Sequence, residues 1–355
     1  LNPSFYISGK FYSMIELKIK HLNFLQKRYS SKIYAVFVNS FFTNKQTQRV
    51  LMQNDFFNMP DENIFHCMHQ VIHRVNPRKD DLLFWHENIR ERSLSRHEED
   101  LARQYLNAML QWTESVGEGE IYKPEGLNKI YTLVSPGHYY TFMSLVSTGT
   151  LGHLIKRGVK RIIVSSNDNL LSTIDPAILA YHKRCNRGTT VEVVSRLFDK
   201  GGAPVLLNNA IKILEDISFP DKQSMWNTEY FNPITTWMEV DSLLELLMLD
   251  KSDVIGAAEG NPEKLNLCAK SVDKLAEKIK TYVVLKHIAD DMGNGIQNVY
   301  PTVQFEKLYG DLVGQLNPNF LLVPKALRHT QMKTVSDIYN TVSDRTLDIL
   351  KPQIE

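Results

Sequence analysis

The stretch Arg161-Ile-Ile-Val-Ser-Ser-Asn-Asp-Asn-Leu-Leu-Ser-Thr-Ile-Asp175-Pro176 decides the fold. Ile162-Ile163-Val164 is short, wholly apolar and β-branched, the composition of a buried parallel strand. Asp168, flanked by Asn167 and Asn169, follows where that strand must end. In open α/β sheets ligands sit at the carboxyl ends of strands. A carboxylate here either meets a metal or phosphate or closes the strand in an Asx turn.

Working outward, strand-like and helix-like segments alternate, as βαβ units require. Ser13 to Leu17 reads as extended, His21 to Tyr29 as helix and Ile33 to Val38 as a continuous apolar strand. Thr43-Asn-Lys-Gln46 has capping-box form and predicts a helix to about Gln53. Tyr140 to Arg157 is helical with a break at Gly149, and Gly158 turns the chain into the Ile162 strand. Val191 to Val194 is a further strand. Val205-Leu-Leu and Ile211-Lys-Ile-Leu214 form a hairpin whose left-handed turn falls on Asn208-Asn209. The alternation predicts an α/β fold with a mixed, mostly parallel central sheet flanked by helices, and 355 residues can bury one large core or two domains. Two charged segments, about 86–119 and 251–298, read as mostly helical.

Composition is that of a cytosolic α/β protein. The 355 residues carry 41 basic and 40 acidic side chains, a net charge of +1. No basic stripe with interleaved aromatics occurs, which argues against nucleic acid as a partner. Cys67, Cys185 and Cys268 are far apart, without metal-ligand spacing, and are expected reduced. No apolar run is long enough for a membrane span.

Around the deciding stretch lies an ordered set of motifs. Ser135-Pro136-Gly137-His138 comes before it. Lys200-Gly201-Gly202, Leu214-Glu215 with Pro220 beyond, and Trp226-Asn227-Thr228 come after it. Val303-Gln304-Phe305-Glu306, Val323-Pro324-Lys325 and Met332-Lys333-Thr334-Val335-Ser336-Asp337 follow. In order and rough spacing these resemble the UDP-glucose pyrophosphorylases (UTP–glucose-1-phosphate uridylyltransferases), whose motifs read P-P-G-H-G-D, S-N-I-D-N-L-G-A-T-V-D, K-G-G, L-E-x-x-x-V-P, F-N-T-N-N, V-Q-L-E-T and V-P-R-S-R-F-L-P-V-K-T-x-S-D. The likeness runs from Leu1 to about Ile338. The family's C-terminal β-helix domain has no counterpart before Glu355.

The resemblance implies a single nucleotide-diphospho-sugar transferase domain over 1–355, relative to which the segments at about 86–119 and 251–298 look inserted, and attack of glucose-1-phosphate on the α-phosphate of UTP. Such chemistry needs charge neutralisation and positioning, with Mg2+ bridging phosphates. By resemblance, Asp168 is the metal-binding aspartate and Lys333 the phosphate-reaching lysine. Glu215 is the sugar-binding carboxylate, His138 with Gly137 flanks the sugar phosphate, and Asn227 contacts substrate. Each also has a plain structural reading: His138 as a loop histidine, Lys333 as a surface lysine, Glu215 as a solvated strand end. The family's L-N-G-G-L-G-T-x-M-G loop is replaced by Leu1-Asn-Pro-Ser-Phe-Tyr-Ile-Ser-Gly-Lys-Phe-Tyr12. Only glycine lets bare backbone N–H groups close on phosphate, so the loop is expected to be filled by Phe5, Tyr6 and Ile7. Tyr12 stands in place of the gripping lysine, with Lys10 as a partial substitute. Tyr139-Tyr140 replaces the G-D, Ser166 the sugar-contacting Asn, Glu229 a further Asn, and Phe65-His66-Cys67 the F-N-Q that reads uracil. Two expectations follow: a pseudoenzyme that associates with an active paralogue, or a nucleotidyltransferase with an altered site.

Overall fold

The computed structural model describes residues 4–83, 110–111, 113, 115–123, 132–197, 199, 201–293, 296–330, 332, 335–343 and 346–354. The chain opens with a hairpin, β1 (Phe5–Ile7) and β2 (Lys10–Tyr12), and a helix, α1 (Met14–Tyr29). Next come β3 (Ala35–Asn39), α2 (Asn44–Gln53), β4 (Ile64–Met68) and the short pair β5 (Ile72–His73) and β6 (Leu133–Val134). Helices α3 (His138–Ser147) and α4 (Thr150–Lys156) lead into β7 (Arg161–Ser165), α5 (Pro176–Cys185) and β8 (Thr189–Ser195). The hairpin β9 (Ala203–Leu207) and β10 (Ala210–Leu214) precedes α6 (Lys222–Trp226) and the long strand β11 (Tyr230–Glu239). Helices α7 (Val240–Leu247), α8 (Lys251–Ala258) and α9 (Pro262–Ala276) follow. After them come the hairpin β12 (Thr281–Gly293) and β13 (Ile296–Lys307), α10 (Tyr309–Gln315), β14 (Asn319–Leu322), α11 (Lys325–Arg328), α12 (Val335–Ser343) and α13 (Lys351–Ile354).

The central sheet has the order β14-β8-β11-β7. β14 runs parallel to β8, with Phe320 opposite Val191. β11 lies antiparallel between β8 and β7, with Trp237 facing Thr190 on one side and Ile163 on the other. β7, β8 and β14 therefore point the same way, and their carboxyl ends share one edge of the sheet. β3 and β4 form a separate parallel pair. Val36 and Phe65 of that pair and Ile162 and Val164 of β7 pack on one core, which holds Tyr139, Met143, Val191, Met238 and Val272. Asn208 and Asn209 take φ of 52° and 59°, the left-handed turn expected between β9 and β10. No helix among the described residues is long and apolar enough to cross a membrane.

Three expectations are corrected. Ser13 to Leu17 is not extended: Ser13 caps α1, accepting the Glu16 amide at 3.2 Å. Ile15 and Ile19, one helical turn apart, then bury together with Ala35 and Leu51, so the 3.6-residue period prevails over β-branching. The 251–298 segment is helical only through α9. Its second half is the β12–β13 hairpin, signalled by Tyr282-Val-Val and the turn composition of Gly293-Asn-Gly. Thr43 does precede α2, but its hydroxyl accepts the Ser40 amide at 3.2 Å instead of capping the helix. The 86–119 segment lies largely outside the described residues.

Candidate functional site at the carboxyl edge of the sheet

The loop after β7 is held from three directions. The Ser166 hydroxyl donates to Oδ1 of Asp168, and the Asp168 carbonyl accepts the Met332 amide at 2.9 Å. Asn169 donates to the Arg328 carbonyl at 3.2 Å and accepts the Thr330 amide at 3.1 Å. The loop is thus stitched to the 328–332 segment, which leads towards Lys333; Lys333 itself lies outside the described residues. Helix α1 also sends in Lys18, whose Nζ donates to the Asn169 carbonyl at 2.8 Å and reaches that of Ser172 at 3.5 Å. Burial lowers Lys18 to about 8, with the Asp168 charge opposing and Arg328 reinforcing the shift.

Beneath the loop is a buried ion pair. Glu192, in the middle of β8 and 0% exposed, accepts from Arg328 Nη2 at 2.7 Å and Nε at 2.8 Å. It also accepts the Trp237 indole N–H at 2.8 Å. Arg328 also donates to the Thr173 hydroxyl and carbonyl, both at 2.9 Å. A planar guanidinium with a paired carboxylate fixes geometry as well as charge. Sequence reading missed Lys18, Glu192 and Arg328. A charged residue inside an apolar strand, as Glu192 is, was the available signal.

Over the same loop lies the segment that the family's pattern gives to glycine-rich phosphate binding. Here it is the β1–β2 hairpin, turned at Ser8-Gly9 with φ of 48° and 85°. Phe5, Ile7 and Tyr12 are buried with Leu170 and Leu171, just past Asp168, and with Leu347, Leu350 and Ile354 of the C-terminal segment. Tyr6 and Phe11 face outward, rings 5.0 Å apart. Lys10, expected to substitute for the gripping lysine, instead pairs with Glu16 at 3.1 Å and lies over the Tyr12 ring.

Glu215 and His138 bracket the turn between β13 and α10. A Cβ on Gly137, whose φ is 98°, would stand 2.3 Å from the Lys307 carbonyl oxygen, so glycine is required for the two backbones to touch. His138 starts α3 and is exposed. Glu215 follows β10, and its Oε1 accepts the Gly310 amide at 3.2 Å. Burial first and the neighbouring Asp311 charge second push Glu215 up to about 7, against the Gly310 hydrogen bond. Asp311 is also raised by burial, against Tyr282 and nearby lysines. Glu215 is therefore no solvated strand end.

Asn227 is exposed at the C-terminus of α6, where its side chain accepts from Gln223 at 2.9 Å. Glu229 passes its carbonyl to the Arg196 amide, and Tyr230 pairs with Ser195, which places this segment at the carboxyl end of β8. Arg196 also donates to the Gly201 carbonyl at 3.0 Å and to that of Asp199, and Lys325 pairs with the Asp199 carboxylate at 2.5 Å. Although burial pushes Asp199 up, hydrogen bonds from His329 and Lys325 hold it well below the usual range. Cys67 turns inward, 3.2 Å from the Ser144 hydroxyl, and Phe65 lies under the Arg157 guanidinium. The structure thus sets Asp168 beside the 328–332 run, and Glu215 with His138 around residues 307–310. Asn227 lies apart, on the same sheet edge as Asp168.

The residues around Asp168 fit a divalent cation poorly. Mg2+ wants oxygen ligands, one or two of them carboxylates. Here a single carboxylate already accepts from Ser166, with Lys18 and Arg328 as neighbouring charges. Among the described residues no group of three or more His, Cys, Asp or Glu is placed to hold a metal.

Residues 120–277 match the family model described as UTP–glucose-1-phosphate uridylyltransferase, a span that includes β7, Asp168, Glu215, Asn227 and α9. A curated relative of that name from Encephalitozoon cuniculi is 23% identical over 242 residues, covering 66% of this chain and 39% of the relative. One from Solanum tuberosum is 28% identical over 122 residues, covering 32% of this chain and 26% of the relative. The matches thus span well under half the length of these relatives. The fold is shared with a UDP-glucose phosphorylase from Trypanosoma brucei, at TM-score 0.64 and 16% identity over 96% of this chain and 62% of that one. It is shared also with the UDP-glucose pyrophosphorylase of Leishmania major, at TM-score 0.59 and 16% identity over 92% and 58%. In motif order, matched sequence and fold together, the chain is similar to the UDP-glucose pyrophosphorylases.

Proposed function

We propose that this chain is a UTP–glucose-1-phosphate uridylyltransferase homologue whose nucleotide site has closed. It makes little or no UDP-glucose and serves as a cytoplasmic protein partner, in the first place of an active pyrophosphorylase. The reading rests on one observation: the segment in the phosphate-loop position is an apolar hairpin whose Phe5, Ile7 and Tyr12 pack on Leu170 and Leu171. A phosphate cradle needs converging bare N–H groups, and this hairpin spends its own on antiparallel pairing. Glu215 supports the reading too, since its carboxylate sits against Gly310 and beside Asp311.

Calorimetric titration of the full chain with UTP and Mg2+ tests it. No saturable heat and no UDP-glucose from UTP and glucose-1-phosphate are expected. Glycines at positions 3, 4 and 6 should not restore activity, because lysine is still absent at Tyr12. Turnover on the order of 10 per second, typical of enzymes, overturns the reading. The retained residue types at Asp168, Glu215 and Asn227 favour the second reading in that event, an active nucleotidyltransferase with an altered site that uses Mg2+. Asp168→Ala and Lys333→Ala would then each abolish activity.

A further inference from the structure

Residues 346–354 are ordered by what they cover. Thr346–Ile349 is a single 3-10 turn and α13 a single helical turn. Their backbone bonds, Leu350 N–H to the Leu347 carbonyl at 3.0 Å and Gln353 N–H to that of Leu350 at 2.8 Å, close within the segment. Turns this short do not persist alone in water, so burial supplies the order. Leu347, Leu350 and Ile354 fall at i, i+3 and i+7 and are 6%, 2% and 8% exposed. They pack with Phe5, Ile7 and Tyr12 of the hairpin and with Leu170 and Leu171 of the loop after β7. The hairpin has the matching need, since its strands are three residues each and an isolated two-stranded hairpin is marginal at best. On its other side α13 packs along α1. There the buried His21 accepts the Ile174 amide at Nε2, at 3.1 Å, with Gln353 beside the ring. One histidine thus joins α1, the 346–354 segment and the end of the loop.

We propose that residues 346–354 are a strap that seats the β1–β2 hairpin over the loop after β7, so that strap and hairpin open together as one unit, ahead of the central sheet. The inference rests on the reading of the hairpin as the cover of the nucleotide site and adds what governs that cover: the site is shut only while Leu347, Leu350 and Ile354 are seated. The physical ground is twofold. Neither short element has enough buried surface to stay ordered without the other, so losing one exposes the apolar face of both. The central sheet keeps a separate core around Val191, Met238 and Val272, which shares no buried residue with that of the strap. The cover can therefore open while the sheet stays intact.

Amide hydrogen exchange of the full chain in dilute urea tests this without reference to activity. In the wild-type protein the amides of residues 5–12 and 347–354 should lose protection together, and be at least about tenfold less protected than those of β8 and β11. Leu350→Ala should lower protection of hairpin and strap alike by about a hundredfold, and the milder Ile354→Val by about fivefold. Lys351→Ala, on the exposed side of α13, should leave both within about twofold. Hairpin amides that keep their protection while the strap loses its own overturn the proposal, as does a wild-type hairpin as protected as β8. If Leu350→Ala does not fold, Ile354→Val and the wild-type comparison decide the matter on the same terms. Parallel titration with UTP and Mg2+ separates the two readings. UTP uptake by wild-type protein whose strap and hairpin open together overturns the closed nucleotide site alone, and independent opening without UTP uptake overturns the strap alone.

Discussion

Asp168 and Glu215 are both carboxylates that follow strands, yet their surroundings are opposite. The loop of Asp168 is framed by donors and cations: Ser166, the Met332 amide, Lys18 and, below it, Arg328. Glu215 has a single backbone amide for support and another carboxylate, Asp311, for company. One region compensates charge and the other stores the cost of uncompensated charge. Residue type alone therefore says little about what a carboxylate can do here; the neighbouring elements decide it.

The largest effect should come from removing the foundation of the compensated region. Arg328→Met leaves Glu192 buried and unpaired, which is expected to cost about 3–5 kcal/mol in urea unfolding. The double variant Glu192→Leu/Arg328→Met should recover most of that, because it leaves no orphaned charge. If the single variant loses under about 1 kcal/mol, the ion pair does not hold the loop.

The hairpin gives the next contrast. Phe5 is 1% exposed and Tyr6 is 54% exposed on the same short strand. Phe5→Ala should cost about 3 kcal/mol through the cavity against Leu170 and Leu171, whereas Tyr6→Ala should stay within about 0.5 kcal/mol. Equal losses would mean that the hairpin does not pack over the loop.

These two regions also mark how far the sequence could be read. The strand at Ile162, the Asn208-Asn209 hairpin and the break at Gly149 carry local signals of periodicity and turn chemistry and lie where expected, but the Ile162 strand is a half-buried edge strand antiparallel to β11 and not the buried parallel strand its composition suggested. The replacement of the family pattern's glycines was legible from Pro3, Phe5 and Tyr12. That the segment becomes a hairpin was not, because its apolar face has meaning only against Leu170 and Leu350, far along the chain. Lys18 was invisible for the same reason: among the charged residues of an amphipathic helix, only tertiary position separates a solvated lysine from one buried in a distant loop. The crowding of Glu215 by Asp311 likewise depends on α10 arriving beside β10.

Uncompensated charge at Glu215 should appear as a pH dependence. Its folded pKa, about 7, exceeds the ordinary 4.5, so the folded state holds the proton longer than the unfolded chain. The stability from its neutral form is complete below about 4.5 and is lost as pH rises towards 7. His21, lowered by burial to about 4, works in the other direction and weakens the fold as pH falls from 6.5. The difference between wild type and Glu215→Gln isolates the first effect. The variant should gain on the order of 2 kcal/mol relative to wild type between pH 4.5 and 8, measured by thermal melts. A constant difference across that range would show that Glu215 is as well compensated as the Asp168 loop, and the contrast would fail.

The smallest predicted effect concerns Gly9, the one glycine left in the segment where the family's pattern carries several. Its φ is 85° and a Cβ there would meet nothing within 4 Å, so the only cost of Gly9→Ala is the left-handed backbone of the hairpin turn. That is about 1 kcal/mol, lost from global stability with no effect on nucleotide, because this glycine shapes a turn and presents no amide to phosphate. Gly9→Asn, which tolerates the left-handed region, should recover roughly half of it. A change in UTP affinity on Gly9→Ala would mean that the turn still reads phosphate, and the hairpin would then be a remodelled binding loop in place of a plug.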